Sequence, residues 1–259
     1  MEKKTVIIAF CGKGGVGKTS ISALTIRLLK EKYPDKKILA IDADPAIGLS
    51  TSLGVEAAST VDDIRKLFIK HVEDGDQKAA IEMLGEAKYQ IFDALVEINN
   101  ISFLAIGRPE SAGCYCKVNA YLKEVINLIS KNYDFVVIDG EAGIEQINRR
   151  VMEKVTHLIL VSDASKKGLE VTKTIEKVAR ELVMFEKVGL IINRVTSMDI
   201  VEHLNLGDLN LLGVIPDDRN MTLSDVRGDS IFMLDEKSQF VQETKKALKK
   251  IRNIIKGKL

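Results

Sequence analysis

The chain has 259 residues, enough for one sizeable α/β domain, so we expect a single domain over residues 1–259. Lysine and arginine total 38 against 37 aspartates and glutamates, a formal net charge of +1, which gives no reason to expect a nucleic-acid partner. No apolar run approaches the roughly 18 to 20 residues of a membrane-spanning helix, and none near Met1 resembles a signal peptide, so we expect a cytoplasmic protein, at most peripheral to a membrane.

Seven short apolar runs alternate with amphipathic stretches along the chain. The runs are rich in Val, Ile, Leu and Phe, as is typical of buried strands. They cover Val6–Phe10, Ile38–Ile41, Ile101–Ile106, Phe135–Ile138, Leu158–Val161, Val188–Ile192 and Leu211–Ile215. Apolar residues recur at helical spacing over Lys18–Lys32, Val118–Ser130, Gly168–Met184 and Lys237–Lys256. This alternation predicts a doubly wound α/β fold, with a mostly parallel sheet of about seven or eight strands flanked by helices.

Two stretches need separate interpretation. Residues 60–100 are long, charged and helical in pattern, so we expect a helical insertion on the rim of the domain. The basic C-terminal stretch Lys245–Lys256 could lie on an anionic membrane, but it lacks a bulky aromatic anchor. We therefore favour a final amphipathic helix that packs on the sheet.

A glycine-rich loop follows the first predicted strand and opens the first predicted helix. It has the Walker A spacing Gly-x-x-x-x-Gly-Lys-Thr. In such a loop the backbone N–H groups and the helix N-terminus face phosphates, Lys18 adds positive charge and Thr19 ligates magnesium. The motif predicts that the protein binds ATP and ADP with magnesium. The candidate nucleotide-binding residues are Gly12, Gly14, Gly15, Val16, Gly17, Lys18, Thr19 and Ser20.

Carboxylates stand at the ends of two other predicted strands. Asp42 and Asp44 follow the second strand, and Asp139 follows the fourth. Parallel strands bring their carboxyl ends to one ligand crevice, so Asp139 is well placed to hold the magnesium ion through its shell of waters. A role as helix cap or turn residue is the alternative for Asp44 and Asp139, and Asp42 could be structural.

Lys13 is a second lysine inside the loop. The segment Lys13–Thr19 resembles the deviant Walker A signature of the MinD and ParA positioning ATPases, the nitrogenase iron protein and several metal-cluster assembly ATPases. In that family the extra lysine reaches the partner's phosphates across a homodimer, and an aspartate matching Asp44 positions the attacking water. The resemblance therefore implies a homodimeric ATPase. Its implied catalytic residues are Lys13, Lys18, Asp44 and Asp139.

Two further strand ends carry the implied base site. Asn193 and Arg194 follow the run Val188–Ile192, and Pro216 follows Leu211–Ile215. In relatives of this family an asparagine at such a strand end bonds the adenine edge, and the backbone near such a proline lines the base pocket. The resemblance implies these roles for Asn193 and Pro216, with Arg194 beside them. Ordinary turn chemistry is the alternative.

Two of the three cysteines form the pair Cys114-Tyr115-Cys116 after the turn-forming loop Gly107–Gly113. A closed tetrahedral metal site takes four ligands, which two copies of the pair across a two-fold axis would supply. Thiolates suit zinc, and square-planar sulfur sites suit nickel, so the spacing leaves the metal open. A redox pair or ordinary loop cysteines are the alternatives. Cys11 is expected to be a buried packing residue.

The chain from the Walker A loop through Gly107–Cys116 to Asn193 is similar to the CooC-type nickel-insertion ATPases, which mature carbon monoxide dehydrogenase and acetyl-CoA synthase. In that family the Cys-x-Cys pair binds nickel or zinc between two subunits. The resemblance implies an ATP-hydrolysing metallochaperone whose partners are a second copy of itself and a client nickel enzyme. The alternatives are a MinD- or ParA-like positioning ATPase and an iron-protein-like ATP-driven reductase, whose cluster ligands come from separated loops.

Overall fold

Eight strands form one sheet in the computed structural model, which describes residues 4–46, 48–73, 77–108, 116–141, 143–144, 147–148 and 151–251. The strands are β1 Val6–Gly12, β2 Ile38–Asp42, β3 Val96–Ile98, β4 Ile101–Ala105, β5 Phe135–Asp139, β6 Lys154–Ser162, β7 Met184–Val195 and β8 Leu211–Pro216. Their order across the sheet is β3-β4-β2-β5-β1-β6-β7-β8. Only β3 runs antiparallel to its neighbour. The predicted doubly wound, mostly parallel sheet is confirmed.

Helices cover both faces of this sheet. They are α1 Lys18–Lys32, α2 Gly48–Leu53, α3 Val61–Glu73, α4 Gln77–Asp93, α5 Cys116–Ser130, α6 Lys166–Leu182, α7 Arg219–Arg227 and α8 Gln239–Lys250. Short 3-10 turns lie at Met198–His203 and Ile231–Met233. None of the helices in the described ranges combines the length and apolar character needed to cross a lipid bilayer.

Strand alternation divides the core into two apolar layers. On β5, Val136 and Ile138 face the layer covered by α3 to α6, whereas Phe135 and Val137 face the layer covered by α1 and α8. Burying a large apolar side chain contributes about 1.5 to 3 kcal/mol, so both layers are needed to hold the sheet. Because β1 lies between β5 and β6, the chain order reverses beside it, and a ligand crevice opens at the carboxyl ends of these central strands.

The range 60–100 differs in part from the prediction. Helices α3 and α4 fill most of it, but they carry core residues such as Ile64 and Ile91 and cover a face of the sheet. The range ends in β3, which pairs with β4 at the sheet edge. We missed this strand because three residues are too few to show the alternation of a strand.

The predicted C-terminal helix packs on the sheet, as expected. Helix α8 buries Phe240, Val241 and Leu248 against the layer that contains α1. It ends at Lys250, and the remainder of the predicted helix lies mostly in 252–259, outside the described residues. The apolar face of α8 is therefore covered by protein.

Candidate functional site

The glycine-rich loop lies between β1 and α1 and is held by close backbone approaches. Gly12 has φ 156°, and a Cβ there would lie 2.0 Å from the carbonyl oxygen of Val161 on β6. Gly17 has φ 89°, and a Cβ there would lie 2.5 Å from Nδ2 of Asn193. A side chain at either position would push the loop away from its neighbouring strands. The spacing of these two glycines thus follows from the packing of the loop.

The other loop residues divide into an anchor and an exposed rim. Val16 is buried in the layer beneath α1, which fixes the centre of the loop. Gly14 and Gly15 are exposed, and a Cβ at either would meet no atom within 4 Å. The loop therefore presents open backbone toward the crevice.

The N-terminus of α1 is suited to bind an anion. Its N-cap is Gly17, which has no side chain to satisfy the first N–H groups of the helix, and no acidic residue occupies the first turn. Lys18 is only 6% exposed, and its Nζ donates to the carbonyl oxygen of Lys13 at 3.2 Å. Unsatisfied N–H groups, the helix dipole and a held ammonium together favour phosphate binding.

Two aspartates meet at the ends of adjacent strands. Asp42 and Asp139 are register partners on β2 and β5, and both are fully buried. Ser22 of α1 donates to Oδ1 of Asp139 at 3.0 Å, whereas Oδ2 has no hydrogen-bond partner among the described residues. Burial raises the pKa of Asp139 to about 6, although the hydroxyls of Thr19 and Ser22 and the charge of Lys18 lower it. Oδ2 of Asp139 can therefore accept a hydrogen bond or bind a cation.

Asp42 holds the segment that carries Asp44. Its Oδ1 accepts from the backbone N–H of Asp44 at 3.1 Å, and its Oδ2 accepts from the N–H of Leu49 in α2 at 2.9 Å. Burial, followed by the charge of Asp139, raises the pKa of Asp42 to about 7. The structural interpretation of Asp42 fits these contacts, because both oxygens are used to fix backbone.

Asp44 is half-buried and lies near the crevice. Its Oδ1 accepts from the N–H of Ala46 at 2.9 Å, and its charge raises the pKa of both Asp42 and Asp139. Gly48, where α2 begins, lies near Thr19, since a Cβ added at Gly48 would be 3.5 Å from Cγ2 of Thr19. The crevice thus brings three carboxylates close to the start of α1.

Asn193 and Arg194 lie inside β7 and contact the loop directly. Nδ2 of Asn193 donates to the carbonyl oxygen of Val16 at 2.9 Å, and a guanidinium nitrogen of Arg194 donates to that of Gly15 at 2.9 Å. We predicted that this pair follows a strand ending at Ile192, but β7 continues to Val195. An irregularity in the pairing with β8 between Ile192 and Val195 gives Arg194 a φ of +58°.

A cleft of about 360 Å³ opens beside these residues. It brings together four sequence-predicted residues: Ser20, Asn193, Arg194 and Pro216. Sequence reasoning missed its other wall, which includes Asp218, Met221 and Phe240. The cleft has the size and the mixed lining of a small-ligand site.

Asp218 organises that wall. It caps α7 by accepting from the N–H of Asn220 at 2.7 Å, and its Oδ2 accepts from Ser238 at 2.6 Å and from the N–H of Phe240 at 3.0 Å. Burial alone would raise its pKa, but the hydrogen bonds, first that from Phe240, hold the pKa below its usual value. An aspartate before a helical pattern is a cap signal that could have identified its capping role.

Lys13 is paired within its own chain. Its Nζ lies 3.0 Å from Oδ2 of Asp163, which follows β6. Burial would raise the pKa of Asp163, but hydrogen bonds from Ser165 and Lys13 lower it. Sequence reasoning did not identify Asp163, because the contact joins residues 150 positions apart.

Two of the three cysteines lie among the described residues. Cys11 is fully buried in the core, as expected. Cys114 lies outside the described residues, and Cys116 is the first residue of α5. In the part of the chain that is described, no group of three or more His, Cys, Asp or Glu side chains could hold a metal ion.

Several known proteins are similar to this chain in sequence. The sequence profile of the family described as AAA domain matches residues 4–187. An uncharacterized ATP-binding protein of Methanocaldococcus jannaschii is 39% identical over 253 residues, covering 96% of this chain and 99% of the relative. The carbon monoxide dehydrogenase accessory protein CooC of Rhodospirillum rubrum is 29% identical over 238 residues, covering 88% of this chain and 89% of the relative.

A solved structure has a similar fold. The septum site-determining protein MinD of Pyrococcus horikoshii, complexed with Mg-ADP, has a TM-score of 0.68 at 24% identity, and 98% of each chain is covered. Because the family match spans most of the chain and the loop geometry agrees with it, the chain belongs to the AAA domain family of ATP-binding P-loop proteins that includes MinD and ParA.

Proposed function

We propose that this protein hydrolyses ATP as a homodimer and uses that cycle to assist nickel insertion into carbon monoxide dehydrogenase or acetyl-CoA synthase. The observation that carries the proposal is the arrangement of Lys18, Thr19 and Asp139 around one crevice at the head of α1. The nickel task is supported by the pair Cys114 and Cys116 in the sequence and by the similarity to CooC.

The donors in the crevice fit magnesium. Thr19 offers a hydroxyl oxygen and Asp139 a carboxylate oxygen, and hard oxygen ligands are those that magnesium prefers. Oδ2 of Asp139 is buried without a hydrogen-bond partner among the described residues, so it can accept from a water of the magnesium shell. Bound magnesium would neutralise charge on the β- and γ-phosphates.

Residues of the chain have the remaining roles in ATP binding and hydrolysis. Lys18 exchanges the carbonyl oxygen of Lys13 for phosphate oxygens and stabilises the negative charge that develops as the γ-phosphoryl group passes from ADP to the attacking water. Asp44 orients the attacking water, and Asp42 fixes the backbone that carries Asp44. Asn193 holds the loop through Val16 and borders the cleft that takes adenine. No covalent intermediate is needed.

Dimer formation requires Lys13 to change partner. Its ion pair with Asp163 is about one-third exposed on both sides, and such pairs contribute about 1 kcal/mol or less. The pair therefore releases Lys13 at little cost when a second copy brings phosphates within its reach.

A backbone connection supports coupling between the nucleotide and the cysteines. Asp42 is the register partner of Ala105 at the end of β4, and its carbonyl oxygen accepts from the N–H of Ile106 at 2.8 Å. The chain then runs through Gly107 toward Cys114. A movement of the Asp42 segment would thus reach Gly107, which precedes the cysteine pair in the sequence. Two copies of the pair in a dimer would offer four thiolates for the cargo metal.

Metal titration of the wild type and of a Cys114→Ser/Cys116→Ser variant, with and without ATP, tests the proposal. We expect about one nickel or zinc ion per two chains in the wild type. The variant should lose the metal and keep ATP binding, while Cys11→Ala, the matched control, should keep both. One metal per chain without dimer dependence would contradict the proposal.

The positioning ATPase is less well supported, because α8 buries its apolar face against the sheet. Co-sedimentation with anionic liposomes in the presence of ATP separates the two functions. We expect the protein to remain in the supernatant, and strong ATP-dependent binding would favour positioning.

A further inference from the structure

The register of the sheet places Lys13, the second lysine of the glycine-rich loop, beside the end of β6. Gly12 is the register partner of Val161 on β6, and a Cβ at Gly12 would lie 2.0 Å from the carbonyl oxygen of Val161. Lys13 follows Gly12 directly, and Asp163 is two residues after Val161. The close packing of the two strands therefore brings Nζ of Lys13 within 3.0 Å of Oδ2 of Asp163.

The carboxylate of Asp163 is also held by the start of α6. Its Oδ1 accepts from the backbone N–H and from the hydroxyl of Ser165, which caps α6 by accepting from the N–H of Gly168. A Cβ at Gly168 would lie 2.1 Å from Oδ1, so glycine is needed there to leave room for the carboxylate. Oδ1 thus serves the cap of α6, whereas Oδ2 bonds Lys13. The position of Asp163 is fixed by the fold, unlike that of most charged side chains on a protein surface.

This contact keeps the side chain of Lys13 on one side of the glycine-rich loop. Because β1 lies between β5 and β6, Asp163 after β6 lies on the opposite side of the loop from Asp139 at the end of β5. Burial raises the pKa of Asp163, but hydrogen bonds from Ser165 and Lys13 lower it below its usual value, so the group is a carboxylate at pH 7. In the proposed homodimer, Lys13 has to leave this carboxylate to reach the phosphates bound by a second copy.

We propose that Asp163 is a positioning residue that retains Lys13 on its own chain and thereby opposes formation of the homodimer. The inference rests on the proposed function and adds to it the residue that sets how readily two copies associate. The carboxylate that Lys13 leaves behind keeps its hydrogen bonds from Ser165, so no unpaired buried charge results.

The size of the effect follows from the exposure of the ion pair. Both side chains are about one-third exposed, and such a pair contributes up to about fivefold to an equilibrium constant. Formation of a symmetric dimer breaks two such pairs, one in each chain. The two pairs together therefore weaken the dimer by up to about 25-fold.

Asp163→Asn tests the proposal in the whole chain with magnesium and the non-hydrolysable ATP analogue adenylyl imidodiphosphate. The amide keeps an oxygen that can accept from Ser165 but presents to Lys13 an NH₂ group, which cannot accept. Sedimentation equilibrium should give a dimer dissociation constant about 5- to 25-fold lower in the variant than in the wild type. With ATP, turnover per chain should reach half its maximum at a protein concentration lower by a similar factor. Loss of a merely structural contact would not move either quantity in this direction.

Glu186→Gln is the matched control. It removes the carboxylate of the ion pair between Lys4 and Glu186, which lies at the opposite end of the sheet from the glycine-rich loop, and it should associate like the wild type. A dimer of Asp163→Asn that is no tighter than that of the wild type would overturn the proposal and leave the proposed homodimer standing. If neither chain dimerises at any concentration, the homodimer itself fails and the role of Asp163 falls with it. If Asp163→Asn does not fold, Asp163→Ser, whose hydroxyl can also accept from Ser165, is judged by the same criteria.

Discussion

The two halves of the nucleotide site are built in different ways. The phosphate side, defined by Lys18, Thr19, Asp42 and Asp139, lies at the ends of central strands, and three of these four side chains are buried. The base side, defined by Asn193, Arg194, Pro216 and Asp218, lies toward the β8 edge and surrounds an open cleft. Asp42 and Asp139 are held by hydrogen bonds from Asp44, Leu49 and Ser22.

The two sides of the site also differ in what their polar side chains do. On the phosphate side, burial raises the pKa of two carboxyls, so the folded protein maintains an electrostatically unfavourable arrangement. On the base side, Asn193 and Arg194 use their donors on the carbonyl oxygens of the loop. In the proposed function, the phosphate side would supply catalysis, and the base side would supply support for the loop and selectivity.

The largest effect is expected from Lys18→Ala on the phosphate side. Loss of the held ammonium removes positive charge beside the γ-phosphoryl group that is transferred to water, and ATP turnover should fall by about 10³-fold in a phosphate-release assay. Lys32→Ala, at the exposed end of the same helix, is the matched control and should retain turnover. Substantial activity in Lys18→Ala would remove this lysine from the mechanism.

Stability of the nucleotide-free protein should depend on pH through Asp42. Its folded pKa of about 7 lies above the ordinary value of 3.8, so the folded state binds the proton more tightly than the unfolded state. The stabilising contribution is complete below pH 3.8 and is lost as the pH rises through about 7. The two pKa values imply a loss of about 4 kcal/mol.

Urea unfolding across that pH range measures the effect. In Asp42→Asn the decline should be about half as steep, because only Asp139 with its pKa of about 6 still contributes. The slope is the readout, since the amide also disturbs the contacts to Asp44 and Leu49. The exposed Asp35→Asn variant should match the wild type, and an unchanged slope in Asp42→Asn would show that its carboxyl does not titrate as described.

A smaller effect is expected from Asn193→Ala on the base side. The change leaves the carbonyl oxygen of Val16 without its 2.9 Å donor and loosens the loop. The dissociation constant for ATP should rise about tenfold in a fluorescent-nucleotide competition assay. Asn132→Ala, in an exposed turn, should bind ATP like the wild type. If both variants behave alike, the base side does not support the loop.

The smallest effect concerns the backbone at Arg194. Its φ of +58° disfavours a Cβ, so Arg194→Gly should be more stable than Arg194→Ala by about 1 kcal/mol in urea unfolding. Both variants lose the bond to Gly15, so their difference isolates the backbone. At Met184, which begins β7, the order should reverse, because glycine weakens a strand. Equal stability at Arg194 would mean that the turn relaxes.

Sequence predicts which residues of the phosphate side lie together, because these residues follow short spacings. A strand, a glycine loop and a helix lie within about 30 residues of one another, and strand ends fix where Asp42 and Asp139 meet. The base side was predicted less completely. The continuation of β7 through Asn193 arises from pairing with β8, and Asp218 acts on α8, which begins 21 residues later.

Long-range contacts account for the features that the sequence did not predict. The pairing of Lys13 with Asp163 depends on a neighbouring strand and leaves no local pattern in the sequence. The antiparallel strand β3 was missed for the opposite reason, since its local pattern is too short. The contacts between distant strands are set by the pairing of the strands in the folded sheet.

The central claim is that the uncapped head of α1, with Lys18 and Asp139 beside it, binds the triphosphate of ATP. Isothermal titration calorimetry of the wild-type protein with ATP, in the presence and absence of magnesium, tests it most directly. We expect saturable binding that tightens with magnesium. Absence of detectable binding in both titrations would contradict the account.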